Sequence, residues 1–226
     1  MVVIIAKTEK MNGGGKKTEA SLFKKIVSKT RHGLILQSIR NKLIFIGIDF
    51  SPYYWYQEGI NSTKIPEIKG SVKDYSLQTL GPGDMEMLEK IDNGWSSSKN
   101  KIPALMEGSE KCIALKHKDE IAAFMWINFK EFYYKSVVVP LKSNEAYLTY
   151  MFTDERYRGN NIAPYLRYKS YEMLKDMGRN VLYSMSICFN TPAVKFKEKL
   201  DAKKVKLILV IQLFSKYHWS FKLKSY

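Results

Sequence analysis

The chain has 226 residues, 45% of them apolar, and a formal net charge of +15. That is enough apolar material for one large domain, or one ordinary domain with an extension, and too much for a disordered chain. No apolar run approaches the ~20 residues of a membrane-spanning helix. Cys112, Cys188, His32, His117 and His218 stand at no metal-ligand spacing, so no metal site is expected. The opening residues 1–6 are apolar but too short for a signal peptide, and a cytoplasmic protein with buried, reduced thiols is expected.

The charge is uneven. Residues 1–42 carry ten Lys/Arg against Glu9 and Glu19, and residues 195–226 carry nine Lys against Glu198 and Asp201. Residues 43–194 hold eighteen of each sign. A neutral body with two basic ends suggests an anionic partner: a phosphate-bearing cofactor, a nucleotide-linked substrate, a membrane surface or nucleic acid.

In chain order, residues 1–17 read as a flexible leader; their Gly13-Gly14-Gly15-Lys16 lacks the spacing of a phosphate loop. Leu22, Phe23, Ile26 and Val27 against Lys24, Lys25 and Lys29 have the period of a basic amphipathic helix. Leu34, Ile35, Ile39 and Leu43 continue as a second helix. This basic leader, 1–42, either docks on the domain or lies on an anionic membrane surface. Residues 43–71 are expected as an extension, a strand over 42–50 and then a Pro- and Gly-bearing loop holding Tyr53, Tyr54, Trp55 and Tyr56.

From residue 72 to the end a third unit is expected. Residues 72–80 form a strand, Asp84 caps a helix bearing Met85, Leu88 and Ile91, and 101–107 form a second short helix. Residues 112–116 and 121–128 form a hairpin around Lys118-Asp119. A strand over 146–152 leads to a helix over 162–177, with Ile162, Leu166, Met173, Leu174 and Met177 inside. A strand over 181–187, a helix over 191–200 and strands over 204–214 and 219–224 follow. The class is α/β: a mixed, mostly antiparallel sheet with a central βαβ unit and helices on both faces.

The chemistry centres on that unit. The strand ends at Met151-Phe152-Thr153. The turn Arg158-Gly159-Asn160-Asn161-Ile162-Ala163 then opens the helix. First-turn amides have no partner within the helix, and with its dipole they attract phosphate. Gly159 permits close backbone approach, and Arg158 adds a charged donor. This turn resembles the pyrophosphate loop of the GNAT superfamily, Arg/Gln-x-x-Gly-x-Gly/Ala, with Asn161 where Gly is usual. Asn tolerates the left-handed conformation such a position demands. After the next strand, Asn190-Thr191-Pro192-Ala193 and then Phe196-Lys197 resemble the family's second signature. There Lys197 occupies the usual tyrosine position and Asp201 replaces Gly.

The resemblance, over about residues 72–214, implies N-acyl transfer from acetyl-CoA to a primary amine, with CoA as product. Met151, Phe152, Thr153, Arg158, Gly159, Asn160, Asn161, Ile162, Ala163 and Asn190 would hold the cofactor. Tyr150 shares the strand whose backbone pairs with the cofactor arm, and an amide there would stabilise the oxyanion. With the family's tyrosine missing, the catalytic candidates are Glu145 as base, Lys197 as acid, and Tyr150 or Tyr183 as a replacement phenol; Glu131 is a second carboxylate near the substrate side. Overall resemblance to bacterial surface-polysaccharide enzymes implies an amino-sugar acceptor on a nucleotide or lipid pyrophosphate carrier, with peripheral contact at the inner membrane surface. Two other readings stand beside it: a protein or peptide N-acetyltransferase, and an inactive GNAT-like domain that binds membrane or another anion. No nucleic-acid motif is present. The tail, 216–226, either closes the sheet or joins a homodimer.

Overall fold

The computed structural model describes residues 34–226 except 64, 93–97, 135–136 and 215. The leader read over 1–17 and the helix read over 21–29 lie outside these residues. Ten strands form an eight-stranded sheet and a two-stranded one. The strands are β1 (Ile48–Gln57), β2 (Tyr75–Leu80), β3 (Glu110–His117), β4 (Glu120–Asn128), β5 (Glu131–Tyr134), β6 (Val137–Pro140), β7 (Glu145–Thr153), β8 (Val181–Ile187), β9 (Lys203–Leu213) and β10 (Tyr217–Ser225). The main sheet runs β10-β9-β1-β8-β7-β4-β3-β2, with β5 and β6 apart as a hairpin. Every pairing is antiparallel except β7 with β8.

The described helices are α1 (Leu34–Phe45), α2 (Met85–Ile91), α3 (Ile102–Met106), α4 (Ile162–Asp176) and α5 (Thr191–Lys199). They lie on both faces of the sheet, and the alternation along β4 shows how. Ala123, Met125 and Ile127 pack with Ile162, Leu166 and Leu174 of α4. Phe124 and Trp126 pack with Met85 and Leu88 of α2 on the other side. Burying both faces makes β4 an unbroken apolar run, closed to solvent from Ile121 to Ile127.

Two sequence expectations fail at residues 42–57. Residues 42–45 end α1 instead of starting a strand. Tyr53, Tyr54, Trp55 and Tyr56 lie in β1, not in a loop, and β1 pairs with β9 on one side and β8 on the other. Pro52 and the polar ends read as loop chemistry, but β-branched and aromatic residues suit a pleated, half-buried surface. Residues 72–74 are a 3-10 turn before the strand. The β5–β6 hairpin has no counterpart in the sequence reading. Met177, placed inside by periodicity, follows the last helical residue and is 43% exposed.

Candidate active site

The site begins where two parallel strands part. β7 and β8 pair only at Glu145↔Val181, Ala146↔Leu182 and Tyr147↔Tyr183. Beyond Tyr147, β7 continues to Thr153 and β8 to Ile187 without pairing to each other. β7 also carries an extra residue against β4, since Leu148 faces Ile127 while Met151 faces Met125. Thr149 and Tyr150 therefore oppose Trp126 alone, a bulge that re-aims the strand beside the opening. The result is a cleft of about 650 Å³ walled by residues 147–153 of β7, Met185 and Ser186 of β8, Ala163 and Arg167 of α4, and Asn190, Pro192, Ala193, Phe196 and Lys197 of α5.

The mouth is the turn into α4. Asp154 caps a 3-10 turn over Glu155–Tyr157 by accepting from the Arg156 amide at 2.9 Å. Gly159 (φ 82°) and Asn161 (φ 61°) both stand in the left-handed region, so Asn161 adopts the conformation expected of the glycine it replaces. Its Nδ2 donates to the Glu67 carbonyl at 2.9 Å, and the Lys69 amide donates to the Asn160 carbonyl at 3.1 Å. The segment before β2 thus pins the turn. A recess of about 190 Å³ sits there, bounded by Thr153, Arg158, Gly159, Asn161 and Ile162 among others. Arg158 leans over the mouth, donating to the Thr153 carbonyl at 3.1 Å and pairing with Glu155 at 3.0 Å. An exposed pair of this kind is weak and can open to a phosphate. Asn190 caps α5, with Oδ1 accepting from the Ala193 amide at 3.4 Å, and it also lines the cleft.

The inner end is charged and dry. Lys197 is 2% exposed and Arg167 3% exposed, and both line the cleft. Between them lies Glu58, just after β1, its side chain fully buried. Glu58 accepts hydrogen bonds from Tyr171 and Ser184, and Lys197 donates to Ser184 and, at 3.3 Å, to the Met185 carbonyl. The Lys197 Nζ is 3.6 Å from Glu58 Oε1, and Arg167 Nη1 is 3.8 Å from the same oxygen. Burial works to raise the Glu58 carboxyl, but Arg167, Lys197 and the two hydroxyls outweigh it and hold it below its ordinary value. Burial, opposed by Glu58 and aided by Arg167, pushes the Lys197 ammonium down to about 8.

The other candidates lie away from this charged floor. Tyr150 lines the cleft but its phenol is raised by burial and by a hydrogen bond with Asp92. Tyr183 is on the opposite face of β8 from Ser184, 5.9 Å edge-on from Trp55, and hydrogen-bonds Glu145. Glu145 sits at the closed end of the β7–β8 pair and accepts from the Lys142 amide at 2.9 Å. Glu131 is exposed and accepts from Tyr133. Lys197 is not the solvated lysine its basic surroundings suggest. Sequence reading missed Glu58, hidden in the supposed loop, along with Arg167 and Ser184. Arg167 carried a signal: it falls four residues after Ala163, on the same helical face as the cleft-lining start of α4.

A splayed parallel strand pair, a left-handed turn and a helix N-terminus at one mouth agree with a match by a model of the "Acetyltransferase (GNAT) family" over residues 77–201. The chain belongs to the GNAT acetyltransferase family. Solved GNAT structures share its fold. One from Colwellia psychrerythraea is 14% identical, with TM-score 0.55, over 84% of this chain and 73% of that one. An acetyltransferase from Novosphingobium aromaticivorans is 17% identical, with TM-score 0.51, over 74% of this chain and 66% of that one. A tandem GNAT protein from the clavulanic acid biosynthesis pathway is 10% identical, with TM-score 0.51, over 79% and 55% respectively. Such identities show the fold alone. No curated protein matches the chain. Among the described residues no His/Cys/Asp/Glu group is placed to hold a metal, and no helix is long and apolar enough to cross a membrane.

Proposed function

We propose that the chain transfers an acetyl group from acetyl-CoA to a primary amine. The observation that carries this reading is the β7–β8 cleft, open at a left-handed turn and helix N-terminus and closed at a buried lysine. Residues Arg158 to Ala163 hold the pyrophosphate, through first-turn amides and the Arg158 guanidinium. Met151, Phe152 and Thr153 offer the backbone edge that β8 leaves unpaired, and Asn190 flanks the arm from α5. Lys197 gives the proton to the departing sulfur. A protonated amine held near neutral proton affinity is an effective general acid. The carboxylate proposed to take the amine proton is Glu145, paired with Tyr183 at the closed end of β7–β8; because it lies off the cleft wall, it would act through water.

The acceptor proposed is an amino sugar on a nucleotide or lipid pyrophosphate. Supporting it is an aromatic wall near the Glu145–Tyr183 pair: Trp55 and Phe132 with centroids 5.3 Å apart, Phe132 stacked on Tyr147 at 3.8 Å, and Tyr53 and Tyr183 beside them. Trp55 and Phe132 are themselves buried, so a sugar face would meet the partly exposed Tyr53 and Tyr183 rings at the edge of this wall. Lys206, 3.8 Å over Trp55 and near Lys222, offers positive charge for a carrier phosphate. α1, with exposed Leu36, Ile39 and Phe45 beside Lys42, fits peripheral contact with an anionic membrane that presents a lipid carrier.

Calorimetric titration with acetyl-CoA tests the reading. Micromolar binding, weakened about tenfold or more by Arg158→Ala, supports it and opens a screen of amino-sugar nucleotides against peptide amines. No binding removes it. Turnover of peptides and none of amino sugars removes the acceptor assignment only.

A further inference from the structure

The inner end of the cleft holds more positive charge than its own residues neutralise. Two buried cations, Lys197 and Arg167, face one buried carboxylate, Glu58. That carboxylate is already engaged: one oxygen accepts from Tyr171 and the other from Ser184. At 3.8 Å, Arg167 Nη1 is too far from Glu58 for a hydrogen bond. Both Nη1 and Nε of Arg167 are buried without a hydrogen-bond partner among the described residues. The Phe196 ring, 5.7 Å from the guanidinium carbon, gives only a cation–π contact. Buried donors left unpaired cost about 1–3 kcal/mol each, so a guanidinium kept in this state on a cleft wall calls for a ligand atom. The surplus charge says that atom carries negative charge.

We infer that Arg167 is a catalytic residue that faces the thioester sulfur and stabilises the charge gathering there as the acyl group leaves, with Glu58 as the positioning residue. This rests on the acyl-transfer reading above. The amine nitrogen forms its bond to the thioester carbon, the C–S bond breaks, and its electron pair passes to sulfur. Lys197 then supplies the proton that makes the thiol. Before that transfer the cluster is two cations and one carboxylate, so the forming thiolate completes a neutral set. A neutral carbonyl of the cofactor arm would fill one donor of Arg167 but leave the charge unbalanced.

The ionisable groups around the cluster are Glu58 and Tyr56 from the β1 end, Tyr147 from β7, Tyr171 from α4 and Lys197 from α5. The phenols of Tyr56, Tyr147 and Tyr171 are all raised, by burial first. They stay protonated through neutral pH and do not blur a thiol titration.

The test compares free CoA with desulfo-CoA, which lacks the sulfur, by calorimetry on the full chain. The wild-type protein should bind CoA at least about tenfold more tightly, and the ultraviolet thiolate band of bound CoA should titrate about 1–3 units below free CoA. Arg167→Gln should abolish both differences and lower kcat by about 10²-fold, with little change in the KM for acetyl-CoA. Arg167→Lys, which keeps the charge, should retain the preference for CoA in part, and it carries the test if the Gln variant does not fold. Equal weakening of CoA and desulfo-CoA in Arg167→Gln overturns the inference and makes Arg167 an arm contact. Wild-type protein that binds both ligands equally overturns it while leaving acyl transfer standing. Wild-type protein that binds neither removes acyl transfer as well.

Discussion

Replacing Glu58 by Gln is the most informative single change in this molecule. It keeps the shape and one of the two acceptor oxygens that Tyr171 and Ser184 use, so one hydroxyl must turn to accept from the new amide, and it removes the charge that opposes Arg167 and Lys197. Breaking a buried pair by deleting one partner typically costs about 3–5 kcal/mol, since the survivor stays buried and uncompensated. Here the cost divides. Lys197 already sits at about 8, and without Glu58 it can shed its proton, whereas a guanidinium cannot. We therefore expect the lower end, about 3 kcal/mol at neutral pH, or a fall of about 1–3 M in the urea midpoint at the slopes usual for single domains.

The sign of the pH dependence is fixed. A lysine depressed in the folded state binds fewer protons there than in the unfolded chain, so stability rises with pH between its folded value and its unfolded value of about 10.4. Loss of Glu58 lowers the folded value further and widens that window toward neutrality. Equilibrium urea unfolding of wild type and Glu58→Gln at several pH values reads both effects. Glu58→Gln combined with Lys197→Met should recover part of the loss. A midpoint unchanged by Glu58→Gln, or a penalty that grows with pH above neutrality, where Glu58 is fully ionised, would refute the cluster as described.

Other perturbations probe separate links. Lys197→Met should lower kcat by about 10²–10⁴-fold, the range of a lost general acid, and the wild-type kcat should fall above about pH 8 as Lys197 loses its proton. A pH–rate profile measured with saturating acceptor checks both, and an unchanged basic limb in the variant would reassign the acid. Gly59→Ala should destabilise strongly, because its Cβ would lie 2.0 Å from the Leu200 carbonyl oxygen; overpacking against backbone costs about 1–3 kcal/mol or more, read as a drop in Tm. Asn161→Gly should preserve acetyl-CoA affinity within about threefold, because glycine accepts the left-handed backbone at no steric cost. Asn161→Val, β-branched at φ 61°, should weaken binding about tenfold or more.

How much of this was legible in the sequence follows from the range of the interactions. β3, β4, β7, β8 and α4 were readable because each is a local pattern, an alternating or fully apolar run or a helical stripe ended by a turn residue. The pyrophosphate turn was readable for the same reason: Arg158, Gly159 and Asn161 act through their own backbone and the helix they open. β1 was not, because Pro52 and a tyrosine run suggest a surface segment until β8 and β9 supply its hydrogen bonds. The charged floor was the least legible part. Glu58 and Lys197 are 139 residues apart in the chain, and neither has a local pattern that says it is buried. Asp201 falls between: its φ of 57° shows that it stands in for a glycine conformationally, while Ser62 holds its carboxylate at 2.8 Å.

The lysine at position 197 explains why the rest of the floor looks as it does. A tyrosine there, as the family's pattern has it, is neutral while it holds its proton and needs no counter-charge when buried. A lysine is cationic before it acts and neutral afterwards, so the cost of burial falls on the resting enzyme. Some acidic group had to enter the core to hold that charge, and it came from the end of β1, outside the span 77–201 that the family model matches. A single carboxylate beside two cations keeps Lys197 protonated at neutral pH without binding its proton too tightly to release. The reverse substitution follows: Lys197→Tyr alone should leave Glu58 opposed only by Arg167 at 3.8 Å and cost stability. Lys197→Tyr with Glu58→Gln strands the Arg167 guanidinium without its counter-charge, so it should be less stable than Lys197→Tyr alone, yet lose less than the sum of the two single changes. Paired urea unfolding and initial-rate measurements on the three variants decide it, and strict additivity of the two changes would show that Glu58 and Lys197 do not act as one unit.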